Sequence, residues 1–218
     1  MRQARQKRAG RSRAPITPSQ AFFRMKRPSL KAGRMVHCES PLEGDFVLRC
    51  DFDDLISAVQ EQPDRLEYKR EGKSRRYTPD FRVTRNQNSH LVEVKPEQKL
   101  ACEDVRDKLE FVQSLYAENG ETLEIVTDRD IRQEPLLSNL KLLKRYRRRD
   151  LMGFQGAQIV GDLRHVLPAT VDQLASLITG GRATVLGLIA AGHLSCDLDL
   201  PFEQAITHIT TKIQGEQK

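Results

Sequence analysis

Asp80, Glu93 and Lys95 lie on two apolar runs separated by the polar turn Arg85-Asn86-Gln87-Asn88. Groups of these types serve phosphate chemistry. Two carboxylates, a main-chain carbonyl and waters are the oxygen ligands that magnesium or manganese takes. Such a cation polarises a scissile phosphate and helps ionise a bound water, while a lysine orients that water or neutralises developing charge. A plainer reading stands beside it, in which Lys95 sits diagonal to Asp80 and forms a surface ion pair worth about 0.5 kcal/mol.

The element that must position these groups is a hairpin. Folding YTPDFRVTRNQNSHLVEVKP (77–96) about Asn86-Gln87 pairs positions that sum to 173 and sets Asp80 opposite Glu93. Alternation then turns Phe81, Val83, Val92 and Val94 toward a core and Asp80, Glu93 and Lys95 the other way. Like charges directly opposed on a strand pair are destabilising, so the pairing needs compensation by a cation or by Lys95.

Upstream, Ser40-Pro41-Leu42-Glu43 reads as a helix start, with serine as cap, proline at the first helical position and a glutamate able to close a capping box. That helix is expected to end near Cys50. Strands are expected at 56–63 and 65–71, with a turn at Gly72-Lys73-Ser74 leading into RRYTPDFRVT as one strand. Helical spacing runs over 98–118 and stops at Asn119-Gly120. TLEIVT (122–127) is a short strand, and a basic helix runs from Pro135 to about Arg148. This order predicts an α/β sandwich around a mixed sheet. Glycines 153, 156 and 161 suggest a boundary near 150. Beyond it the pattern reads as three helices, an extended run over 193–199 and a final helix, which predicts a small winged helix-turn-helix domain. No internal repeat is evident.

Charge is distributed unevenly. Residues 1–34 hold eleven Lys or Arg and no acid, so the rest of the chain carries 25 basic against 30 acidic residues. A segment such as MRQARQKRAGRSRAP buries too little apolar surface to fold alone and is expected to be a disordered arm attracted to a polyanion, unless it serves only as a solubilising tail. The run KLLKRYRRR (141–149) has six positive residues in nine, and it is either a second DNA contact or a solvated helix end. DNA contacts are assigned to Arg5, Lys7, Arg8, Arg11, Arg13, Lys144, Arg145, Arg147 and Arg148. No apolar run approaches a membrane span or a signal peptide, and Cys38, Cys50, Cys102 and Cys196 form no CxxC pair. Both features suit a reduced cytoplasmic protein. The five histidines have no zinc spacing; His90 lies near the hairpin but reads as a surface or turn residue.

An acid at a helix start (Glu43), a Pro-Asp, then Glu-x-Lys on the next strand and a helix form the order of the PD-(D/E)xK nuclease core, which this chain resembles. SPLEGDF (40–46), EQP (61–63), YTPDF (77–81) and LVEVKP (91–96) are similar to the TnsA family, the endonuclease subunits of heteromeric cut-and-paste transposases. The resemblance covers roughly residues 36–127 and continues loosely through LGLIAAGHLSCDLDLPF. It implies a restriction-endonuclease-like fold, a 35–150 nuclease domain and a 151–218 winged-helix docking domain. It implies Asp80 and Glu93 as ligands of one or two Mg2+ or Mn2+ ions, with the carbonyl of Val94 as a further ligand. Lys95 falls on the motif lysine. Glu43 falls on the helix-borne acid, with capping as its rival role, and Glu39 is a lesser candidate. The implied activity is hydrolysis of phosphodiester bonds at the 5′ ends of a transposon. The implied partners are double-stranded DNA at those ends, an integrase-like transposase subunit (TnsB-like) and an AAA+ regulator (TnsC-like). An independent restriction or repair nuclease of the same fold, and a non-catalytic winged-helix DNA-binding protein, are the alternatives.

Overall fold

The computed structural model describes residues 25–147 and 150–210. It divides into two compact units, one extending to Arg132 and the other beginning at Gln133.

The first unit is built on a four-stranded mixed sheet. Its strands are β3 (Ile56–Glu61), β6 (Phe81–Arg85), β7 (Asn88–Lys95) and β8 (Leu123–Thr127), in spatial order β3-β6-β7-β8. The first three run antiparallel to their neighbours, and β8 lies parallel to β7. Helices close both faces. Helix α1 (Pro41–Phe52) packs on one, where Phe46, Val47 and Cys50 meet Val59, Phe81, Val83, Val92 and Val94. After a short turn of helix, α2 (Glu97–Leu100), the longer α3 (Glu103–Glu118) covers the other face through Leu109, Val112 and Tyr116 against Leu91 and Leu123. A single turn, α4 (Asp128–Ile131), follows β8 and returns Ile131 to the α1 side.

The hairpin register is the expected one: Phe81 faces Val92, Val83 faces His90, and Arg85 faces Asn88. Asn86 and Gln87 both take positive φ, 48° and 68°, the backbone of the two-residue turns that match strand twist. The expected single strand RRYTPDFRVT is in fact two. β4 (Leu66–Arg70) and β5 (Lys73–Tyr77) form a separate two-stranded ribbon, and Thr78-Pro79-Asp80 breaks the chain before β6. Proline cannot donate to a ladder, which explains why pairing stops there. The helix expected to end near Cys50 continues to Phe52.

The basic arm also differs from expectation. Its last residues are not an appendage, because β1 (Met25–Ser29) and β2 (Arg34–Cys38) pair as a hairpin beside α1. Val36 and Cys38 are buried in the α1 cluster. Arg27 lies 3.9 Å from Asp45, and Arg34 lies 2.7 Å from the buried Glu61. These two cations therefore compensate buried acids of the fold.

In the second unit the basic helix is α5 (Leu136–Tyr146), followed by α6 (Phe154–Asp162), α7 (Val171–Ala175) and α8 (Gly181–Ala190). The boundary precedes the expected one because Leu137, Leu140 and Leu143 put a buried stripe on α5, and the Asn139 amide donates to the carbonyls of Leu198 and Leu200, each at 2.9 Å. β9 (Ala169–Thr170), β10 (Leu194–Ser195) and β11 (Ile206–Ile209) form a small antiparallel sheet in the order β10-β11-β9. Where a final helix was expected, residues 206–209 are a strand. The β-branched run Ile-Thr-His-Ile suits a pleated surface, and Thr207 is buried while its neighbours are not. Among the described residues no helix is long and apolar enough to cross a membrane.

Candidate active site

The acids and the lysine converge where α1 begins, the ribbon ends and β7 finishes. Ser40 caps α1, accepting a hydrogen bond from Glu43 N at 3.1 Å. Glu43 returns both oxygens to this start, one to the Glu39 N–H at 2.7 Å and one to the Ser40 hydroxyl at 2.9 Å. The capping role expected for Glu43 is therefore realised. The residue is also buried, and its charge reaches Asp80.

Asp80 sits in the bend before β6 and is tied down on both sides. Its Oδ2 accepts from Val94 N at 2.8 Å, and its carbonyl accepts from Gln62 N at 2.8 Å. Gln62 is buried at φ 45°, and its side-chain amide donates to Glu39 at 2.7 Å. EQP thus acts as a brace for the Asp80 turn. Glu93 is 4% exposed on β7, two residues before Lys95 on the same face, and the Lys95 ammonium hydrogen-bonds its Oε1. Lys95 consequently pairs with Glu93, not diagonally with Asp80.

The face that carries these groups is not open to water, as a one-sided hairpin would be. Leu91 and Tyr77 on it belong to the cluster under α3. This burial sets the electrostatics. Burial, then the charges of Glu93 and Glu43, push the Asp80 carboxyl well above the ordinary carboxylate value. Burial likewise raises Glu43 against its two hydrogen bonds. Lys95 loses some stability as a cation through burial, but Glu93 and Asp80 more than restore it and hold its pKa above the usual lysine value. Lys95 is therefore an ammonium at neutral pH. Burial also pushes the nearby Cys38 thiol up to about 12, so it is no nucleophile.

Tyr77 ends β5. The structure sets its hydroxyl beside Glu93, whose carboxylate, after burial, is the main reason the phenol holds its proton. Neither Tyr77 Oη nor Glu93 Oε2 makes a hydrogen bond of standard geometry, although both are buried. Residue spacing could not reveal this neighbour, because the break at Pro79 decides where the end of β5 points. His90 lies on the opposite face of the hairpin, 3.1 Å from Glu124, and is not in the site. Of the expected DNA contacts, Lys144 and Arg145 lie in the last turn of α5, where cations complement the helix dipole. Arg147 donates to the Ala190 carbonyl at 3.4 Å. Arg5, Lys7, Arg8, Arg11, Arg13 and Arg148 lie outside the described residues.

The donor set suits a small hard cation in type and in need. Carboxylate oxygens are the correct ligands, and Glu93 Oε2 is buried without a hydrogen-bond partner. Among the described residues, however, no three His, Cys, Asp or Glu side chains form a ready-made ligand group. Asp80, Glu93 and Glu43 each accept hydrogen bonds here, and an ionised carboxylate so engaged keeps lone pairs for an ion.

Residues 53–128 match the family model of the TnsA-like endonuclease N-terminal domain. This segment is therefore similar to that endonuclease domain, over about a third of the chain. The match spans β3 through the start of α4 and includes Asp80, Glu93 and Lys95, while Glu43 lies before it. No curated protein matches the chain significantly.

Proposed function

We propose that the chain is the metal-dependent DNA endonuclease subunit of a transposase, hydrolysing phosphodiester bonds at the 5′ ends of a transposon during cut-and-paste transposition. One observation carries the reading: within a segment similar to the TnsA-like domain, a buried Glu93, a half-buried Asp80 and a half-buried, protonated Lys95 are gathered at one place. Asp80 and Glu93, with the Val94 carbonyl and waters, would hold Mg2+ or Mn2+, and Glu43 would meet the ion directly or through water. When bound, the ion supplies Lewis-acid polarisation of the phosphate and a more acidic water. The chain's own residues do the rest. The Gln62 brace and the Val94 N–H hold Asp80 in a fixed orientation. Lys95, already an ammonium, donates to a non-bridging phosphate oxygen and offsets the charge that develops there. Tyr77 keeps its hydrogen and is placed to orient Glu93 once that carboxylate engages another partner.

The second unit, with its short helices and three-stranded antiparallel sheet, is read as a winged-helix docking module for an integrase-like transposase and an AAA+ regulator. Residues 151–218 contain four Lys or Arg against six Asp or Glu, a poor balance for independent DNA binding. The decisive experiment reconstitutes transposon-end cleavage with the neighbouring transposase and magnesium. Asp80→Ala is expected to abolish 5′-strand cleavage while leaving 3′-strand cleavage by the partner. Unchanged 5′ cleavage would remove Asp80 from catalysis, and rapid cutting of arbitrary duplex without partners would favour an independent nuclease.

A further inference from the structure

The β4–β5 ribbon carries charges that the catalytic pocket does not use. A lone two-stranded ribbon is marginal in water, and this one is held by one face only. Leu66, Tyr68 and Tyr77 join the cluster under α3, and the Arg70 guanidinium lies 5.1 Å over the Phe111 ring. From Arg65 to Arg76 the segment has six cations and two acids, Glu67 and Glu71. Arg65 and Arg76 both approach Glu67, at 3.4 and 3.3 Å. Lys69, Lys73 and Arg75 are exposed, with no ion pair to any described residue. The register sets Lys73 directly opposite Arg70 beside the turn, and like charges so placed repel. Lys73 and Arg75 share the face of Arg70 and Tyr68, and Lys69 lies on the other face, so the exposed cations flank both sides of the ribbon; packing accounts for the three apolar residues and gives no reason for three uncompensated cations.

We propose that the β4–β5 ribbon is a duplex-DNA contact, binding backbone phosphates beside the scissile bond through Lys69, Lys73 and Arg75. The fit is one of charge and shape. A two-stranded ribbon is among the few elements that the DNA major groove, about 12 Å wide, admits. Cations mounted on a packed ribbon are ordered in advance and lose less freedom on binding than cations on a free tail. Position supports the assignment as well. β5 ends at Tyr77, so only Thr78 and Pro79 separate the ribbon from Asp80, a span of three residue steps and at most about 10 Å. Five residues of strand add about 17 Å to the tip. Every ribbon cation therefore contacts DNA within about eight base pairs of the cut, at 3.4 Å per pair. The inference rests on the nuclease reading only for what occupies the pocket; duplex binding by the ribbon stands or falls separately.

The test uses the full chain without divalent cations and a labelled duplex of about 30 base pairs, with anisotropy titrations between roughly 50 and 200 mM salt. Lys69→Ala/Lys73→Ala/Arg75→Ala is expected to bind at least about tenfold more weakly, with a salt slope shallower by about 2 to 3, since each lost phosphate contact removes about 0.9. A thermal melt equal to that of wild type excludes misfolding, and Lys69→Ala alone, with a slope change near 1, serves if the triple variant melts early. Unchanged affinity and slope overturn the proposal. So does unchanged DNA binding accompanied by lost association with the transposase partner, which would make the ribbon a protein contact. Asp80→Asn, measured in parallel, separates the two readings. It is expected to bind duplex as wild type does in the divalent-free titration and to lose 5′-strand cleavage in the reconstituted reaction with transposase and magnesium. Normal cleavage by Asp80→Asn together with weak binding by the triple variant would sink the nuclease assignment and leave the ribbon standing.

Discussion

The two hairpins of the first unit are close in sequence and alike in backbone, yet opposite in how they carry charge. Each turns on two residues at positive φ, Glu71-Gly72 in the ribbon and Asn86-Gln87 in β6–β7. β6–β7 lies in the middle of the sheet, with α1 on one face and α3 on the other. Glu93 and Lys95 on it, and Asp80 in the bend before it, are wholly or partly withdrawn from water and act on one another strongly. The ribbon is covered on one face only, and Lys69, Lys73 and Arg75 remain solvated. The covering layers, not the hairpin geometry, decide which charges become perturbed and which stay available for a long-range partner. Chemistry needs the first kind, because a low-dielectric pocket amplifies preorganised charge. Affinity for a polyanion needs the second.

The largest effect expected from this contrast is on stability. Phe81 is fully buried in the central hairpin, with its ring centroid 5.2 Å from that of Phe46. Phe81→Ala should cost about 3–5 kcal/mol, the range for a large aromatic removed from a packed core. Tyr68, half-buried against Phe111 at 5.7 Å, should cost about 1–2 kcal/mol as Tyr68→Ala, because much of its surface is already wet. Urea unfolding of both variants measures the difference. Equal losses would mean that the ribbon is as much a part of the core as the sheet, and the comparison would fail.

Legibility in the sequence follows the same division. The register of β6–β7 was readable because Phe81, Val83, Val92 and Val94 alternate on one face and the turn residues fix the centre. Ser40 and Glu43 announced the start of α1 through the capping box. The break at Thr78-Pro79-Asp80 was not readable, since an apolar and basic run containing one proline suits an edge strand as well as two strands. With it went the position of Tyr77 and the independence of the ribbon. The roles of Arg27 and Arg34 were hidden for another reason. Their acidic partners, Asp45 and Glu61, lie on other elements, and charge counted along the chain cannot show which cations are bound in tertiary pairs. The strand at 206–209 was lost because four residues are too few to show a period against the helical residues before them.

A middle-sized effect concerns the buried acids and pH. The Asp80 carboxyl is raised above its ordinary value of 3.8, so between that pH and its folded value the native state holds more protons than the unfolded chain. Stability then falls as pH rises through this window. Asp80→Asn removes the penalty. The variant should melt several degrees above wild type at pH 7 without divalent cations, with about 2–4 °C for each kcal/mol in a protein of this size. The gap should close as pH approaches 4. Magnesium should raise the melting temperature of wild type by mass action and leave Asp80→Asn nearly unmoved. A variant less stable than wild type at pH 7 would mean that the Val94 hydrogen bond outweighs the burial of charge, and the contrast between pocket and ribbon would lose its electrostatic basis.

The smallest effect has an unusual sign. Most surface truncations lie within about ±0.5 kcal/mol of neutral, but Lys73 faces Arg70 across the ribbon, and Arg70 is fixed in place over Phe111. Lys73→Ala therefore removes a repulsion while giving up no ion pair to a described residue. It should stabilise the chain by a few tenths of a kcal/mol at low ionic strength, within the ~0.2–1 kcal/mol range of cross-strand pairs. The gain should fade toward 1 M salt, where the screening length is about 3 Å. Arg70→Ala, by contrast, should destabilise by about 0.5–1 kcal/mol, because it loses the stacking contact along with the charge. Denaturant midpoints at two salt concentrations distinguish the pair. A Lys73→Ala variant that is destabilised, or whose gain ignores salt, would mean that Lys73 supports the ribbon; the predicted sign would mean that the fold tolerates a cation it does better without, as a contact kept for a polyanion requires.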